Sequence, residues 1–536
     1  MSGLVLAACE SGDGEPPVAT SSPDPTADAA FADLANDTLI APDAPTLDIA
    51  AEPGALTFRW DAPLETSSRV RLLERDAHDA HERALDLTPS ADTRGARLPV
   101  AAHRLAWSTV TWRIEHCDTA GCVSSRRTRA AADAALATAH EIAPAVAITG
   151  ERFGERIAMN AGGTLLVVAS PVAGRIALHD LRDDGPAIAD PPPRLEGPAS
   201  ITRALDAAVS ANGDVIAVMS GDAARGRDAR VLVFERLGEG WITTANEPVL
   251  AARDVALGRD GARPRVILSA DGERLLVACT GAPACPVVEY LRTDTGWQAG
   301  RLVHAPLDDE LVTHGVPLAI DASATLERIA VATSRAGETP RLQVHDIAGS
   351  PTRDATVERI SLPALAADAP LALALDDGGA HVAIGGLEPS AAASPAPVLW
   401  RYRIDRDGAS LALHVEDSLR LASPPDRASA LSLAADATLD TVAFGWSTVD
   451  AAALVTHVSG ERGWRPALEL PGDADRLAGR PFGEALALDA NGATFALDIA
   501  PAASDPTTAP SIGRVLLTRA SGTATTLERH LPHATP

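Results

Sequence analysis

A tight turn between two apolar β-segments occurs seven times between residues 144 and 536, and this repeat constrains the fold more than any other feature. The turns lie at 160–163, 211–213, 270–272, 321–324, 377–379, 436–437 and 491–492. Their glycine or alanine markers, at positions 163, 213, 272, 324, 379, 437 and 492, are 50 to 59 residues apart. A period of this length, built from short β-segments, predicts a β-propeller with one blade per repeat.

Each turn leads into an apolar segment with small residues interspersed, which is typical of a strand covered on both faces. A further β-segment follows in every repeat. The sequence therefore predicts an all-β fold, with a seven-bladed β-propeller of four-stranded blades over residues 144–536. Two segments could supply the last outer strand, 523–530 or 145–148, and joining both chain ends in one blade would be the more stable closure.

A second, smaller unit is expected ahead of the ring. Residues 45–127 contain short alternating apolar runs separated by Pro, Gly, Ser and Asp, which is the pattern of a small antiparallel β-sandwich. The alanine-rich stretch 128–143 predicts a short helical connector that Pro144 ends.

The start of the chain, Leu6-Ala7-Ala8-Cys9, resembles the lipobox of bacterial lipoprotein signals. The resemblance implies a signal over 1–9 and lipidation at Cys9, and Glu10 in the next position implies export to the outer membrane. Only eight residues precede Cys9, so we expect the translation start to lie upstream. The alternative is a chance occurrence in a cytosolic protein. Residues 10–44 have no basic residue and no apolar periodicity, which predicts a disordered acidic tether.

The remaining cysteines form two close pairs, which favours an oxidising compartment. We expect disulfides between Cys117 and Cys122 and between Cys279 and Cys285, with Cys9 left over for acylation.

The charge of the chain bears on its partners. The net charge is -26 and every basic residue is Arg, so nucleic acid and anionic lipid surfaces should be repelled. No run of 18 or more apolar residues occurs, so attachment to a membrane would be through lipid. We expect a monomer in the bacterial cell envelope, with the leaflet undetermined.

Two family resemblances accompany these patterns. Arg152-Phe153-Gly154, Pro481-Phe482-Gly483 and the Gly-Trp pairs resemble FG-GAP repeats of the integrin-α-like propellers. Trp60, Trp112 and the hairpin 117–122 make residues 45–127 similar to a fibronectin type III module, with Trp112 where that family usually has Tyr. Calcium-binding FG-GAP members carry a DxDxDG loop. Its closest approach here, 489–492, has the position of a hairpin turn, so we expect no metal site.

Recognisable reaction chemistry is missing. The sequence has no GxSxG, HExxH, Walker or CxxC motif. His78 and His81 offer two metal ligands without a third, and the pairs Asp308-Asp309 and Asp376-Asp377 have the composition of solvated turns. We therefore expect no catalytic residue and no cofactor.

Function is then expected on the loops that join the second and third strands, because these are long and variable while the other turns are tight. Arg225, Arg227 and Trp446 are the candidate contacts. The favoured hypothesis is a non-catalytic, envelope-anchored binding or scaffolding protein whose ligand is a protein or glycan. The alternative is a periplasmic or surface enzyme, a polysaccharide or peptide hydrolase or lyase, with its site in the propeller channel.

Overall fold

The structure is a computed structural model. It describes residues 44–61, 69–77, 82–87, 93–119, 121–131, 133–144, 152–171, 175–182, 204–221, 230–238, 240–243, 263–282, 286–304, 316–335, 337–347, 356–362, 365–366, 369–388, 396–407, 410–420, 430–447, 452–460, 463–470, 482–500, 513–521 and 525–528. The expected signal, 1–9, and the tether up to residue 43 lie outside these ranges. The described residues form an all-β protein of nine antiparallel sheets, which confirms the predicted fold class.

The N-terminal unit is a sandwich of two sheets. Its strands are β1 (Leu47–Glu52), β2 (Ala55–Trp60), β3 (Arg69–Arg75), β4 (Glu82–Leu87), β5 (Thr93–Pro99), β6 (Thr111–Cys117) and β7 (Cys122–Ser124). One sheet has the order β1-β2-β5 and the other β4-β3-β6-β7. Phe58 on β2 and Trp112 on β6 pack with ring centroids 5.7 Å apart, so the two sheets share one apolar core. A 3-10 turn (Ala102–Arg104) lies between β5 and β6, and a short helix α1 (Ala134–Ala137) lies in the segment that leads from the sandwich to the ring.

The remaining strands follow along the chain, and all but the last of them form the ring. They are β8 (His140–Ile142), β9 (Arg156–Met159), β10 (Leu165–Ser170), β11 (Arg175–Asp180), β12 (Ala204–Val209), β13 (Val215–Ser220), β14 (Arg230–Leu237), β15 (Gly240–Thr243), β16 (Arg263–Leu268), β17 (Arg274–Thr280), β18 (Val287–Thr293), β19 (Gly296–His304), β20 (Val316–Ala322), β21 (Arg328–Ser334), β22 (Arg341–Asp346), β23 (Thr356–Ser361), β24 (Ala372–Leu375), β25 (His381–Glu388), β26 (Ala396–Asp407), β27 (Ser410–Arg420), β28 (Ala430–Ala435), β29 (Thr441–Ser447), β30 (Ala452–Gly460), β31 (Gly463–Leu470), β32 (Phe482–Leu488), β33 (Thr494–Ile499), β34 (Arg514–Arg519) and β35 (Thr525–Glu528).

Seven sheets follow one another around the ring. They are β9–β11, β12–β15, β16–β19, β20–β23, β24–β27, β28–β31 and β32–β34 with β8. The first strand of each sheet packs against the neighbouring sheet, and β32 of the last sheet contacts β9 of the first, so the arrangement closes. Aliphatic clusters fill the spaces between neighbouring sheets. This arrangement is a β-propeller, and each sheet of the ring is one blade.

The closing strand comes from the N-terminal side of the ring. β8 pairs with β34 as the fourth strand of the last blade, so a strand from within the expected connector 128–143 completes the ring. Segment 145–148 lies outside the described residues. In segment 523–530 the described residues pair as β35 with β5 of the sandwich, so the expectation that this segment closes the last blade is wrong.

The seven tight turns share one hydrogen-bonded geometry. In the structure they span 160–163, 210–213, 269–272, 323–326, 376–379, 436–439 and 489–492, and the carbonyl of each first residue accepts the N–H of the fourth. The side-chain oxygen of the first residue also accepts the backbone N–H five positions later, which gives that N–H a partner. These first residues are Asn160, Ser210, Ser269, Ser323, Asp376, Asp436 and Asp489. This hydrogen bond explains why the first residue of the turn is Asn, Ser or Asp in every blade.

Backbone hydrogen bonds also join successive turns into a girdle around the ring axis. The second residue of a turn donates its N–H to the carbonyl oxygen of the second residue in the next turn, at 2.7 to 3.1 Å. The donors are Ala211, Ala270, Ala324, Asp377, Ala437 and Ala490. Between the first and second blades, Asn160 Nδ2 completes the circle by donating to the carbonyl of Ala211 at 3.4 Å. The turns thus hold neighbouring blades together at one end of the ring.

The fourth residue of every turn has a left-handed backbone, and two of these residues are not the ones that the sequence pattern marks. Five are glycines, at positions 163, 213, 272, 379 and 492. In the other two blades the equivalents are Leu326 (φ 55°) and Leu439 (φ 58°), rather than the markers Ala324 and Ala437. Both leucines are fully buried, so their apolar contacts offset an unfavourable backbone conformation.

Gly379→Ala tests the geometry of the turn. Gly379 has a φ of 67°, and an added Cβ would lie 3.0 Å from Cβ of Arg328. We expect the free energy of unfolding, measured by urea denaturation, to fall by about 1 to 2 kcal/mol.

The neighbouring glycine supplies a matched control. A Cβ on Gly378 would meet nothing nearer than 3.8 Å, so Gly378→Ala should change the free energy of unfolding by no more than about 0.5 kcal/mol. Equal losses in the two variants would contradict the proposed role of the left-handed position.

Candidate functional site

The two ends of the ring differ in accessibility. At the turn end, the girdle holds the blades together and the 3-10 turn of the sandwich docks against β30, β31 and β34. At the opposite end, several ionisable side chains lie near the start of the innermost strands and near the end of β33. We call this group the loop-side mouth: Arg156, Asp206, Arg265, Glu484 and Asp498.

Asp206 is the centre of the mouth. It lies at a β-bulge in β12, which re-aims its side chain, and it is only 5% exposed. Its Oδ2 accepts the backbone N–H of Val266 on the next blade at 2.8 Å. The carboxylate therefore links the innermost strands of two neighbouring blades.

Two arginines flank this carboxylate from the blades on either side. Nε of Arg156 lies 4.0 Å from Oδ1 of Asp206, and Nε of Arg265 lies 3.7 Å from Oδ2. These separations are too long for hydrogen bonds, and Nε of Arg156 has no hydrogen-bond partner among the described residues. The Arg265 side chain is 44% exposed. Two guanidinium groups thus face one carboxylate, and Nη1 of Arg156 also donates to the backbone carbonyl of Glu155 at 2.7 Å.

The last blade adds two carboxyl groups. Asp498 on β33 is fully buried and accepts the N–H of Ala485 at 2.9 Å. Burial, with a smaller contribution from the nearby Glu484, raises its pKa to about 7, against the lowering effects of this hydrogen bond and of Arg156. Glu484 is exposed and accepts a hydrogen bond from Ser447 Oγ at 3.1 Å.

The mouth is equipped to recognise an anionic group. Guanidinium donors suit carboxylate and phosphate oxygens, whereas Asp206 and Asp498 are already committed to backbone N–H groups. Asp321 makes the same kind of link near the turn end, where its Oδ2 accepts the N–H of Leu375 at 2.8 Å. Buried carboxylates in this ring therefore bind backbone, which is a structural use.

Trp446 does not occupy an exposed binding surface. It lies on β29, is 7% exposed, and packs in the apolar cluster between the fifth and sixth blades. It therefore has little surface to offer a ligand, and its part in the predicted contact set is corrected to packing. Arg225 and Arg227 lie outside the described residues.

The cysteines agree in part with the predicted pairs. Cys117 and Cys122 form a disulfide across the hairpin between β6 and β7. Cys279 is disulfide-bonded, but Cys285 lies outside the described residues, so this pairing stays a prediction, and so does lipidation of Cys9, which lies outside as well. Glu115 is close to both hairpin sulfurs, but their covalent bond leaves no thiolate to ligate a metal.

Other sequence candidates have structural partners or fall outside the described ranges. His78, His81, Asp308 and Asp309 lie outside. Glu82 forms salt bridges with Arg113 and Arg127. Asp376 and Asp489 accept backbone N–H groups in their turns, which supports the interpretation of 489–492 as a hairpin turn.

His103 fastens the sandwich to the turn end. Its Nε2 lies 2.8 Å from the carbonyl oxygen of Gly492 and its Nδ1 lies 2.6 Å from Oγ1 of Thr518. A carbonyl only accepts, so Nε2 carries the hydrogen and Nδ1 accepts from the threonine hydroxyl. Thr456 Oγ1 donates to the backbone carbonyl of His103 at 2.5 Å. Burial lowers the pKa of His103 to about 4, so the ring is neutral in the folded protein.

The residues of the mouth escaped sequence reasoning. Arg156, Asp206 and Arg265 each lie in the first strand of a repeat. A single charged residue in such a strand belongs to no recognisable sequence motif. The sequence signal that could have identified them is a charged residue within an otherwise apolar innermost strand, because a buried charge requires a partner. Their convergence needs the ring, because they come from three successive blades.

Two of the solved structures that are similar to this chain are described as propellers. No protein-family model and no curated protein matches the sequence. Among solved structures, the propeller domain of Myceliophteria thermophila Cps50 (Swd1) is 15% identical, with 72% of this chain and 100% of that chain covered and a TM-score of 0.45. The Dos1 propeller is 11% identical, with 71% and 95% covered and a TM-score of 0.40. The tricorn protease is 10% identical, with 84% and 41% covered and a TM-score of 0.37. These likenesses concern the fold alone.

Within the part of the chain that the structure describes, no helix has the length and apolar character needed to cross a membrane.

Replacing His103 tests the docking of the sandwich. Because the folded pKa of about 4 lies below the ordinary 6.5, the folded state binds fewer protons between these values. The contribution of His103 to stability is thus complete above pH 6.5 and is lost as the pH falls. We expect the difference in unfolding free energy between wild type and His103→Gln to narrow by roughly 2 to 3 kcal/mol between pH 7 and pH 4.

His414→Gln is the control, because it removes a histidine whose side chain is 56% exposed. A difference between wild type and His103→Gln that stays constant with pH would show that His103 is not a neutral buried group.

Proposed function

We propose that this protein is a non-catalytic binding or scaffolding protein of the bacterial envelope, and that the loop-side mouth of its propeller binds a protein or glycan presenting a carboxylate or phosphate. The observation that carries the proposal is the meeting of Arg156 and Arg265 at Asp206. Neither arginine is within hydrogen-bond distance of the Asp206 carboxylate. The Arg265 side chain is 44% exposed, so its donors are available to a ligand.

The environment strengthens this choice. The chain as a whole has a net charge of -26, and two arginines beside one buried carboxylate stand out against this background. An anion on a ligand would be attracted to these guanidinium groups and repelled by the exposed carboxylate of Glu484 and by most of the remaining surface. Such a charge pattern selects orientation as well as ligand.

The rest of the chain would present the ring at the envelope. In this proposal Cys9 carries a lipid, residues 10–44 are the tether, and the sandwich is a fibronectin type III-like spacer. The hairpin disulfide between Cys117 and Cys122 supports an oxidising compartment. The ring would be FG-GAP-like, the protein would act as a monomer, and nucleic acid would not be a partner.

The sandwich also contributes to the binding unit. It contacts the turn end at the last two blades, through His103 and the 3-10 turn, and thus lies at the end of the ring opposite the loop-side mouth. Its position gives a physical reason for placing recognition at the opposite end.

The charge-binding step is tested with two short acidic probes, trigalacturonate for glycans and an acetylated acidic tripeptide for proteins. We expect one of them to bind the wild-type protein in calorimetry. The variant Arg156→Gln/Arg265→Gln should weaken that binding roughly tenfold to hundredfold, the worth of lost charge-assisted hydrogen bonds.

Arg69→Gln is the matched control, since Arg69 forms an exposed ion pair with Asp86 on the sandwich. A neutral galactose trimer controls for the charge of the glycan probe. Failure of both acidic probes to bind, or equal binding by the double mutant, would remove the mouth from the proposal.

An enzymatic role is the second candidate, and one observation favours it. Asp498, with a pKa raised to about 7 by burial, has the acidity of a general acid at neutral pH. A hydrolase or lyase using it should cleave envelope polysaccharide or peptide, and Asp498→Asn should abolish that cleavage while Glu484→Gln, on the exposed side, retains part of it. Turnover by the purified wild-type protein would replace the binding proposal with this one.

A further inference from the structure

The last described strand of the chain belongs to the first domain. β35 pairs antiparallel with β5, so the first sheet of the sandwich has the order β1-β2-β5-β35. Thr525 lies opposite Arg97, Thr526 opposite Ala96, and Leu527 opposite Gly95. Without β35, one edge of β5 would present unpaired backbone N–H and C=O groups.

The chain is fastened just before this strand. The N–H of Ser521 donates to the carbonyl of Gly54 at 2.9 Å, and Nη1 of Arg97 donates to the carbonyl of Ser521 at 2.7 Å. Only residues 522–524 separate this anchor from β35. The last strand is therefore a short segment attached at a defined point, distinct from the blade that precedes it.

We propose that the outer edge of β5 is a strand-acceptor site, filled in cis by residues 525–528 and able to accept the same segment from a second copy of the chain. Strand addition to a sheet edge draws its affinity from main-chain hydrogen bonds, which any copy of this segment can supply. A short link before the exchanged element is the usual setting for domain swapping.

A second copy is the occupant that the structure supports, because 525–528 is the segment it shows on this edge. The link of three residues also holds the cis strand at a high effective concentration, so the chain alone stays monomeric. Exchange requires the cis strand to leave, and reciprocal exchange then gives a closed two-fold dimer. The site is independent of the loop-side mouth, so failure of one proposal leaves the other standing.

The acceptor is tested directly with a variant lacking residues 522–536 and a fluorescent peptide of those residues. We expect the peptide to bind the truncated protein in an anisotropy titration, and to bind the full chain roughly a hundredfold more weakly because the cis strand competes. A peptide carrying Thr525→Pro and Thr526→Pro should not bind, since two adjacent prolines remove an N–H on each edge of the strand.

Exchange between full chains is tested by mixing two single-cysteine proteins, one with Ala96→Cys and one with Thr526→Cys, both carrying Cys9→Ser. These positions are opposite in the strand register. Under a mild thiol oxidant, a covalent heterodimer that accumulates with protein concentration is expected. A mixture of the Ala96→Cys chain with a Cys9→Ser chain is the control for adventitious oxidation.

The outcomes separate clearly. The heterodimer supports the acceptor site, and peptide binding to the truncated protein adds to that support. A folded truncated protein that ignores the peptide, or no heterodimer at any concentration while a chain with both cysteines crosslinks internally, overturns it. Because the mixing experiment uses full chains, a truncated variant that fails to fold does not decide the matter.

Discussion

The closed girdle of hydrogen bonds between turns is the constraint on which the rest of the ring depends. Each of six turns donates an N–H to the next, and the side chain of Asn160 spans the remaining gap. This pattern requires a similar turn in every blade at a similar distance from the axis. The capping oxygen and the left-handed fourth residue supply that similarity, and aliphatic packing between blades fills the volume around it.

The girdle also divides the ring into two unlike ends. One end is held by backbone hydrogen bonds between turns and contacts the sandwich through His103 at the last two blades. The other carries side chains from successive blades, and these differ in charge because no shared hydrogen-bond pattern restricts them. Binding is therefore proposed at the loop-side mouth, where the sequence can vary without disrupting the hydrogen bonds that close the ring. Binding residues are commonly found on such variable parts of a rigid scaffold. The C-terminal strand on the sandwich adds a separate surface.

Much of the architecture was predictable from the chain, and the exceptions have physical causes. The apolar second strands and their turns gave the correct sheet order because alternation and turn chemistry are local. Leu326 and Leu439 were missed as turn residues because leucine rarely adopts a left-handed backbone conformation. Here the burial of the side chain offsets the conformational cost, and local sequence rules do not include burial. Trp446 was predicted as a ligand contact because the sequence around an aromatic residue at the end of a strand is similar whether its side chain is buried or exposed. The arginines of the mouth were missed because they converge from separate blades.

The all-β class, the repeat and the hairpin disulfide can be predicted from the chain alone, since hydrophobic alternation, turn composition and cysteine spacing all act over a few residues. The folded ring was needed to show that β8 completes the last blade, that β35 returns to the sandwich, and that Arg156 and Arg265 share Asp206. These are contacts between residues far apart in the chain. Their free energy depends on which surfaces closure of the ring brings together, and that information exists in no single segment.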